Sequence, residues 1–201
     1  MNKLDEKIIS MKNQQRNKDI EIDIKKGVYI DHSFVQFVDS DVLGGSFTVM
    51  IPSAFREMTS EEARNKYHSE LRPQCIKTSP DTSINLCISL IADCPITEET
   101  MKLDAMEMKN ALQKTNPAME FYESGIEQLE DFKLAWFEFK SFALDGQMYN
   151  LMFLAPAKGQ MLHGVFNCMF ESSDNWKEPA LQMVKSIKYA EKSVESTESK
   201  E

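Results

Sequence analysis

Residues 133–170, KLAWFEFKSFALDGQMYNLMFLAPAKGQMLHGVFNCMF, contain three long apolar runs that only short turn-like sites interrupt. The runs are KLAWFEFKSFAL, QMYNLMFLAP and QMLHGVFNCMF, and the breaks are Asp145–Gly146 and Lys158–Gly159. Short glycine-containing turns between apolar runs are typical of β-hairpins. A fourth run, EFYESGIEQL at 120–129, comes just before them, followed by Glu130–Asp131. The stretch therefore predicts four strands in an antiparallel meander.

Both faces of these predicted strands are apolar. One face of 147–155 carries three large side chains and the other face three more: Tyr149, Leu151 and Phe153 against Met148, Met152 and Leu154. A sheet with one face in water alternates apolar with polar residues, so this sheet needs cover on both sides. We therefore expect an α/β (α+β) fold, a three-layer α/β/α sandwich around a mainly antiparallel sheet of roughly six to eight strands.

Two amphipathic helices are predicted to cover the sheet. The first has Thr97 as its N-cap and ends before Pro117. Its apolar stripe is Met101, Ala105, Met108 and Leu112, widened by Leu103, Met106 and Ala111. The second begins near Asp174, with Pro179 in its first turn and a stripe of Trp176, Ala180, Met183, Val184 and Ile187. A third, short helix is expected from the capping box of Thr59 and Glu62 to Tyr67.

The remaining strands are predicted on β-branched and aromatic composition. IEIDI (20–24), VYIDHSFVQFV (28–38) and SFTVMIP, which ends at Pro52, form the first group. QCIKT and SINLCISLI, parted by SPD, form a predicted hairpin. We expect one domain over residues 20–190. We also expect residues 1–19 to form a flexible or short helical arm and residues 191–201 to form a disordered acidic tail.

Composition excludes several classes of function. The chain has 201 residues, with 23 basic and 32 acidic side chains and a net charge of −9. Because this charge repels phosphates, we expect no nucleic-acid partner. No run reaches the ~18 apolar residues of a membrane helix, so we expect no membrane insertion. Without a signal-peptide pattern, the expected location is cytoplasmic, with the four cysteines as free thiols.

Motifs for chemistry are absent from the sequence. There is no G-x-S-x-G, P-loop, G-x-G-x-x-G or H-E-x-x-H pattern. His163 lies on an otherwise apolar strand, where a histidine is more often structural than catalytic. We therefore predict no enzymatic activity, no catalytic residues, no cofactor and no metal.

The candidate binding residues are the acidic side chains around the first strand of the meander: Glu120, Glu123, Glu127, Glu130 and Asp131. Three interpretations are open. They mark a surface for a basic protein partner, they block pairing at an outward edge strand, or they serve catalysis or a metal ion. The 13 methionines likewise either fill the core or line an adaptable groove for partner segments.

Two segments resemble the PsbP-like/DcrB-like superfamily, which also contains the Ran-binding Mog protein. They are FTVMIPSAFREMTSEEARNKY and FNCMFESSDNWKEPALQMVKSI, and the resemblance covers roughly residues 44–190. It implies an antiparallel sheet sandwiched between helices and a module that binds other proteins.

We therefore expect a non-enzymatic, adaptor-like module with an unknown protein partner. One alternative is a cytosolic chaperone for an apolar segment of a secreted partner. The other is a small-molecule hydrolase with an unrecognised site.

Overall fold

The predicted meander forms the centre of the fold in a computed structural model, which describes residues 22–68, 72–143 and 146–190. The expectations for the arm at 1–19 and the tail at 191–201 lie outside these residues. The strands are β1 Val28–Ile30, β2 Ser33–Val35, β3 Phe37–Val42, β4 Phe47–Pro52, β5 Arg56–Glu57, β6 Cys75–Thr78, β7 Asn85–Ile91, β8 Glu120–Gln128, β9 Lys133–Ala143, β10 Gly146–Ala157, β11 Gln160–Met169 and β12 Lys188–Tyr189. The helices are α1 Ser60–Lys66, α2 Met101–Thr115 and α3 Ser173–Lys185, preceded by a 3₁₀ turn at Phe170–Ser172.

The largest sheet has seven strands in the order β5-β6-β7-β11-β10-β9-β8, and every pair in it is antiparallel. A second sheet, β12-β4-β3, and the β1-β2 hairpin lie outside it. This confirms the α+β class, the antiparallel sheet and the meander. None of the helices in the described residues is long and apolar enough to cross a bilayer.

The two apolar faces of β10 enter two separate cores, as the pattern required. Tyr149, Leu151 and Phe153 pack in the larger core, which also contains the apolar side of α3 and the inner residues of β3 and β4. Met152 and Leu154 pack in the second core beneath α2. One face of the sheet is therefore covered by α3 together with the small sheet, and the other by α2 and the short α1.

The N-terminal strand predictions were only partly right. The described part of 20–24 is not a strand, because its backbone groups bond to the side chain of Gln182. The Ile24 N–H donates to Gln182 Oε1 at 3.1 Å, and Gln182 Nε2 donates to the Ile22 carbonyl at 2.6 Å. The run 28–38 is not one strand either. Asp31 and His32 both adopt positive φ, at 47° and 66°, and turn the chain into the β1-β2 hairpin.

All three predicted helices are present near their predicted ranges, but the predicted N-cap of α2 and the predicted place of Pro179 in α3 are wrong. The capping box of Thr59 and Glu62 is present with both of its bonds. The N-cap of α2 is Thr100, not Thr97. Just before the helix, each of these threonines donates its backbone N–H to the side-chain oxygen of the other. Pro179 lies inside α3, beyond the first turn, since that helix begins at Ser173.

All four cysteines are free thiols, as expected. Cys75, Cys87 and Cys168 are buried and Cys94 is half-buried. Burial raises the pKa of Cys87 to about 11 and that of Cys168 to about 12. These thiols are therefore protonated and unreactive at neutral pH.

Candidate functional site

Strand β8 is an edge strand of the seven-stranded sheet. It pairs with β9, and no described strand pairs with its outer side. A bulge between Phe121 and Ser124 interrupts the pairing, after which Ser124–Gln128 run in regular register against Lys133–Phe137. Among the described strands, none pairs with the outer edge of the regular segment Ser124–Gln128, next to the predicted acidic residues.

The predicted acidic residues do not form one cluster. Glu120 pairs with Lys140 at 2.7 Å, which lowers the pKa of Glu120. Glu127 pairs with Lys185 at 3.0 Å, and Asp131 accepts a bond from the Tyr189 N–H at 2.7 Å. Glu123 and Glu130 make no hydrogen bond or ion pair with described residues. Glu130 lines a cleft that also includes Asp23 and Gln182. Within the described ranges, no three acidic, histidine or cysteine side chains are placed to hold a metal ion.

A buried carboxyl group that the sequence analysis missed lies under the bulge of β8. Glu138 is only 6% exposed, with its carboxylate 3.9 Å from Lys177 Nζ. Burial raises the pKa of Glu138. The buried Tyr149 hydroxyl lies beside it but outside hydrogen-bond geometry. The available signal was its position as the one acidic residue of the apolar run KLAWFEFKSFAL, between Phe137 and Phe139. The sequence analysis did not use that signal.

Glu138→Gln should change the pH dependence of stability in a defined direction. Because the pKa of Glu138 is higher in the folded protein than the unfolded 4.5, its ionisation destabilises the fold as pH rises from about 4.5 through the raised pKa. The variant should therefore gain stability relative to the parent from pH 4 to pH 7, measured by urea unfolding at each pH.

Glu62→Gln is the matched control with the opposite sign. Arg56 holds the Glu62 carboxylate at 2.6 and 2.8 Å and lowers its pKa to about 2. The stabilisation from this pair is present above pH 4.5 and is lost as pH falls toward 2. This variant should be less stable than the parent at neutral pH, and the difference should vanish in acid. The same trend for both variants would contradict the assignments.

The other face of the sheet carries an apolar groove at the same edge. The groove has a volume of about 480 Å³ and lies between α2 and the strands β8 and β9. Its walls include the small side chains of Ala105, Ser124 and Ala135, and the exposed Met106 and Ile126 stand at its rim. The small residues leave the space, because larger ones would fill the gap between helix and sheet.

Two lysines flank this groove, although the protein as a whole is acidic. Lys102 and Lys109 both line it from α2. They are seven residues apart, which is about 10.5 Å along a helix. Lys109 also lies 5.0 Å from the centre of the Phe121 ring. The groove therefore combines apolar walls with positive charge, which favours an apolar segment that carries carboxylates.

The methionine-rich α2 helix is less buried than the stripe predicted. Met101, Ala105, Met108 and Leu112 face the second core as expected. Leu103 and Met106 are 51% and 53% exposed, and Ala111 is exposed as well, so the proposed widening of the stripe is wrong. Met101 is thus a core residue, whereas Met106 is a groove residue. Whether this groove accepts partner segments stays a prediction.

His163 lies half-buried on β11, opposite Ser89 on one neighbouring strand and Leu154 on the other. Burial lowers its pKa, so the imidazole is neutral near pH 7. Its strand neighbours are a hydroxyl and an aliphatic side chain, and no carboxylate or thiol of the described residues is hydrogen-bonded to it. This environment provides no acid that would orient the imidazole as a general base.

The fold is shared with several solved structures at low sequence identity. CyanoP, the PsbP protein of Synechocystis, is 9% identical over 85% of this chain and 98% of that chain, with a TM-score of 0.55. LpqN of Mycobacterium tuberculosis, described as involved in cell envelope biogenesis, is 13% identical over 81% and 95%, with a TM-score of 0.52. A variant of Mog1 is 10% identical over 79% and 98%, with a TM-score of 0.50.

No protein-family profile and no curated protein matches this sequence. The structural likenesses establish that the chain has the PsbP/Mog1-like fold, which is the fold that the resemblance in the sequence implied. At these identities they establish the fold alone, because one fold supports many functions.

Proposed function

We propose that this protein is a non-enzymatic module that binds another protein, with the groove between α2 and β8 as its binding surface. The observation that carries the proposal is the open apolar groove of about 480 Å³ rimmed by Met106 and Ile126. Exposed apolar surface at a defined concavity marks interaction sites on proteins.

The chemistry of the groove supports a protein segment as the ligand. Methionine side chains adapt to partners of different shape, and Met106 is more than half exposed. The two lysines provide charge at the rim, where it directs association more than it adds affinity. The proposal includes no cofactor and no nucleic acid as ligands of this protein. The four free thiols support a cytoplasmic location.

Met106→Glu should abolish capture of the partner, whereas Leu103→Glu should leave it intact. The two side chains lie on the same helix and are exposed to almost the same extent, at 53% and 51%. Only Met106 lines the groove. A charge at Met106 must be desolvated when a partner covers it, and this costs several kcal/mol unless it is paired. The measurement is affinity capture with each variant from the native cell, quantified against the parent protein.

The two variants share helix, charge and exposure, so any nonspecific effect should appear in both. Circular dichroism should show the same folded spectrum for each variant. Equal capture by the parent and by Met106→Glu would overturn the proposal. Loss of capture in Leu103→Glu alone would place the binding surface elsewhere on α2.

A second candidate, favoured by the same groove, is a chaperone for an apolar segment of a secreted partner. An adaptor binds its partner in the folded state, whereas a chaperone holds the unfolded state and keeps it from aggregating. Stoichiometric suppression of aggregation of the captured partner, lost in Met106→Glu, would favour the chaperone.

A further inference from the structure

We infer that the partner is an extended peptide segment that adds to the large sheet as a new strand beside Ser124–Gln128. This inference rests on the proposed function and specifies how the groove is used. The partner chemistry is a strand with one large apolar side chain, carboxylates two positions away on the same face, and basic side chains on the opposite face.

The backbone of β8 provides the pairing surface. Its inner side bonds to β9 in regular register from Ser124 to Gln128, and no described strand pairs with its outer side. An edge strand presents its unpaired N–H and C=O groups to any incoming chain. Addition of a strand to such an edge is an established mode of peptide recognition. The bulge at Phe121–Ser124 ends the straight edge, which limits the added strand to a short segment.

The groove specifies the side chain that enters from the partner. Ser124 and Ile126 face the same side of the sheet as Phe137 and Ala135, with which they are in register. An added strand lies about 4.8 Å beyond β8, with its side chains alternating between the two faces. A large side chain opposite the small Ser124 can reach over it toward Ala105. Carboxylates two positions away on the same face then lie near Lys102 and Lys109.

The other face of β8 selects basic side chains and disfavours a second copy of this chain. Glu123 makes no ion pair with described residues and lies near the buried Glu138 and Tyr149. Glu127 is on the same side, paired with Lys185. Two β8 strands paired with each other would bring these carboxylates together, and like charges across a strand pair are destabilising. A partner strand with a basic side chain at this position, in place of a second glutamate, avoids that repulsion.

The probe is a fluorescein-labelled peptide with threonine flanks and a core of glutamate, lysine, leucine, lysine and glutamate. The control peptide has the same composition, but the leucine and the lysine before it swap positions. Because strand side chains alternate, this exchange turns the leucine to the other face of the sheet. Measured by fluorescence anisotropy, the control peptide should bind at least tenfold more weakly. The double variant Lys102→Glu and Lys109→Glu should bind the first peptide more weakly than the parent protein does.

Backbone methylation separates an added strand from a helix bound in the groove. An added strand presents only alternate N–H groups to β8, so methylation of one alternate set should abolish binding while methylation of the other set preserves it. Loss of binding with both sets, or equal binding of the two leucine isomers, would overturn strand addition. Dimerisation of the protein through β8 without peptide would also overturn it. If capture still depends on Met106 in these cases, the proposed binding function stands without the strand.

Discussion

Trp176→Ala is expected to lower the free energy of unfolding by about 3–5 kcal/mol, the usual cost of truncating a buried aromatic side chain. Trp176 is 4% exposed, and its ring lies 5.7 Å from that of Phe166 and 6.4 Å from that of Phe55. It joins α3 to the large sheet, so the cavity would open in the main core. For a domain with about 5–15 kcal/mol of stability, this is a large fraction of the total.

The effect should appear as a fall in Tm of roughly 6–20 °C, followed by circular dichroism. Leu103→Ala, at an exposed position of α2, is the control and should change stability by about 0.5 kcal/mol or less. Trp176→Phe should cost much less than Trp176→Ala. Its ring fills most of the space, and the buried indole N–H has no hydrogen-bond partner in the described residues to lose. Similar small effects of the alanine variants would mean that α3 does not pack as described.

Gly164→Ala should destabilise the protein by about 1–3 kcal/mol through overpacking. Gly164 lies directly opposite Phe153 in the β10-β11 pair. A Cβ atom at this position would lie 2.2 Å from Phe153 Cζ and 2.7 Å from the backbone oxygen of Cys87. Phe153 is fully buried, so the new methyl group requires a shift of that side chain or of the strands.

A double-mutant cycle tests the origin of this cost. Phe153→Leu removes the aromatic atoms that the new methyl group would meet, but it leaves the contact with the Cys87 backbone. The double variant should therefore lose less stability than the sum of the two single variants, as judged by urea unfolding. Simple additivity, or a neutral Gly164→Ala, would contradict the observed packing.

The sheet was predictable from sequence because its signal is local. The runs of β10 and β11 are apolar at successive positions, which predicts two covered faces, and the glycine turns set the connections. The β1-β2 hairpin was missed because its turn uses Asp31 and His32 at positive φ instead of a glycine pair. The predicted strand at 20–24 failed because Gln182, distant in the sequence, bonds to that backbone.

The proposed binding surface was only partly predictable, because its position depends on tertiary packing. The acidic residues around β8 were visible in the sequence, but their partners Lys140 and Lys185 come from another strand and from α3. The sequence indicated that a methionine-lined groove could exist, but it did not indicate where in the fold the groove would lie. The rotation of α2 on the sheet places Met108 inside and Met106 at the rim, and the small Ala105, Ser124 and Ala135 meet only in the folded chain.

The most direct test of the central claim is backbone hydrogen–deuterium exchange of the full chain, alone and saturated with its captured partner. Binding at the groove should slow exchange in peptides that cover β8 and α2, residues 120–128 and 101–115, and leave the β1-β2 hairpin unchanged. That hairpin carries the two most exposed aromatic side chains of the described residues, Tyr29 and Phe34, at 76% and 50% exposure. Protection confined to residues 28–35, with no change in β8 and α2, would contradict the account.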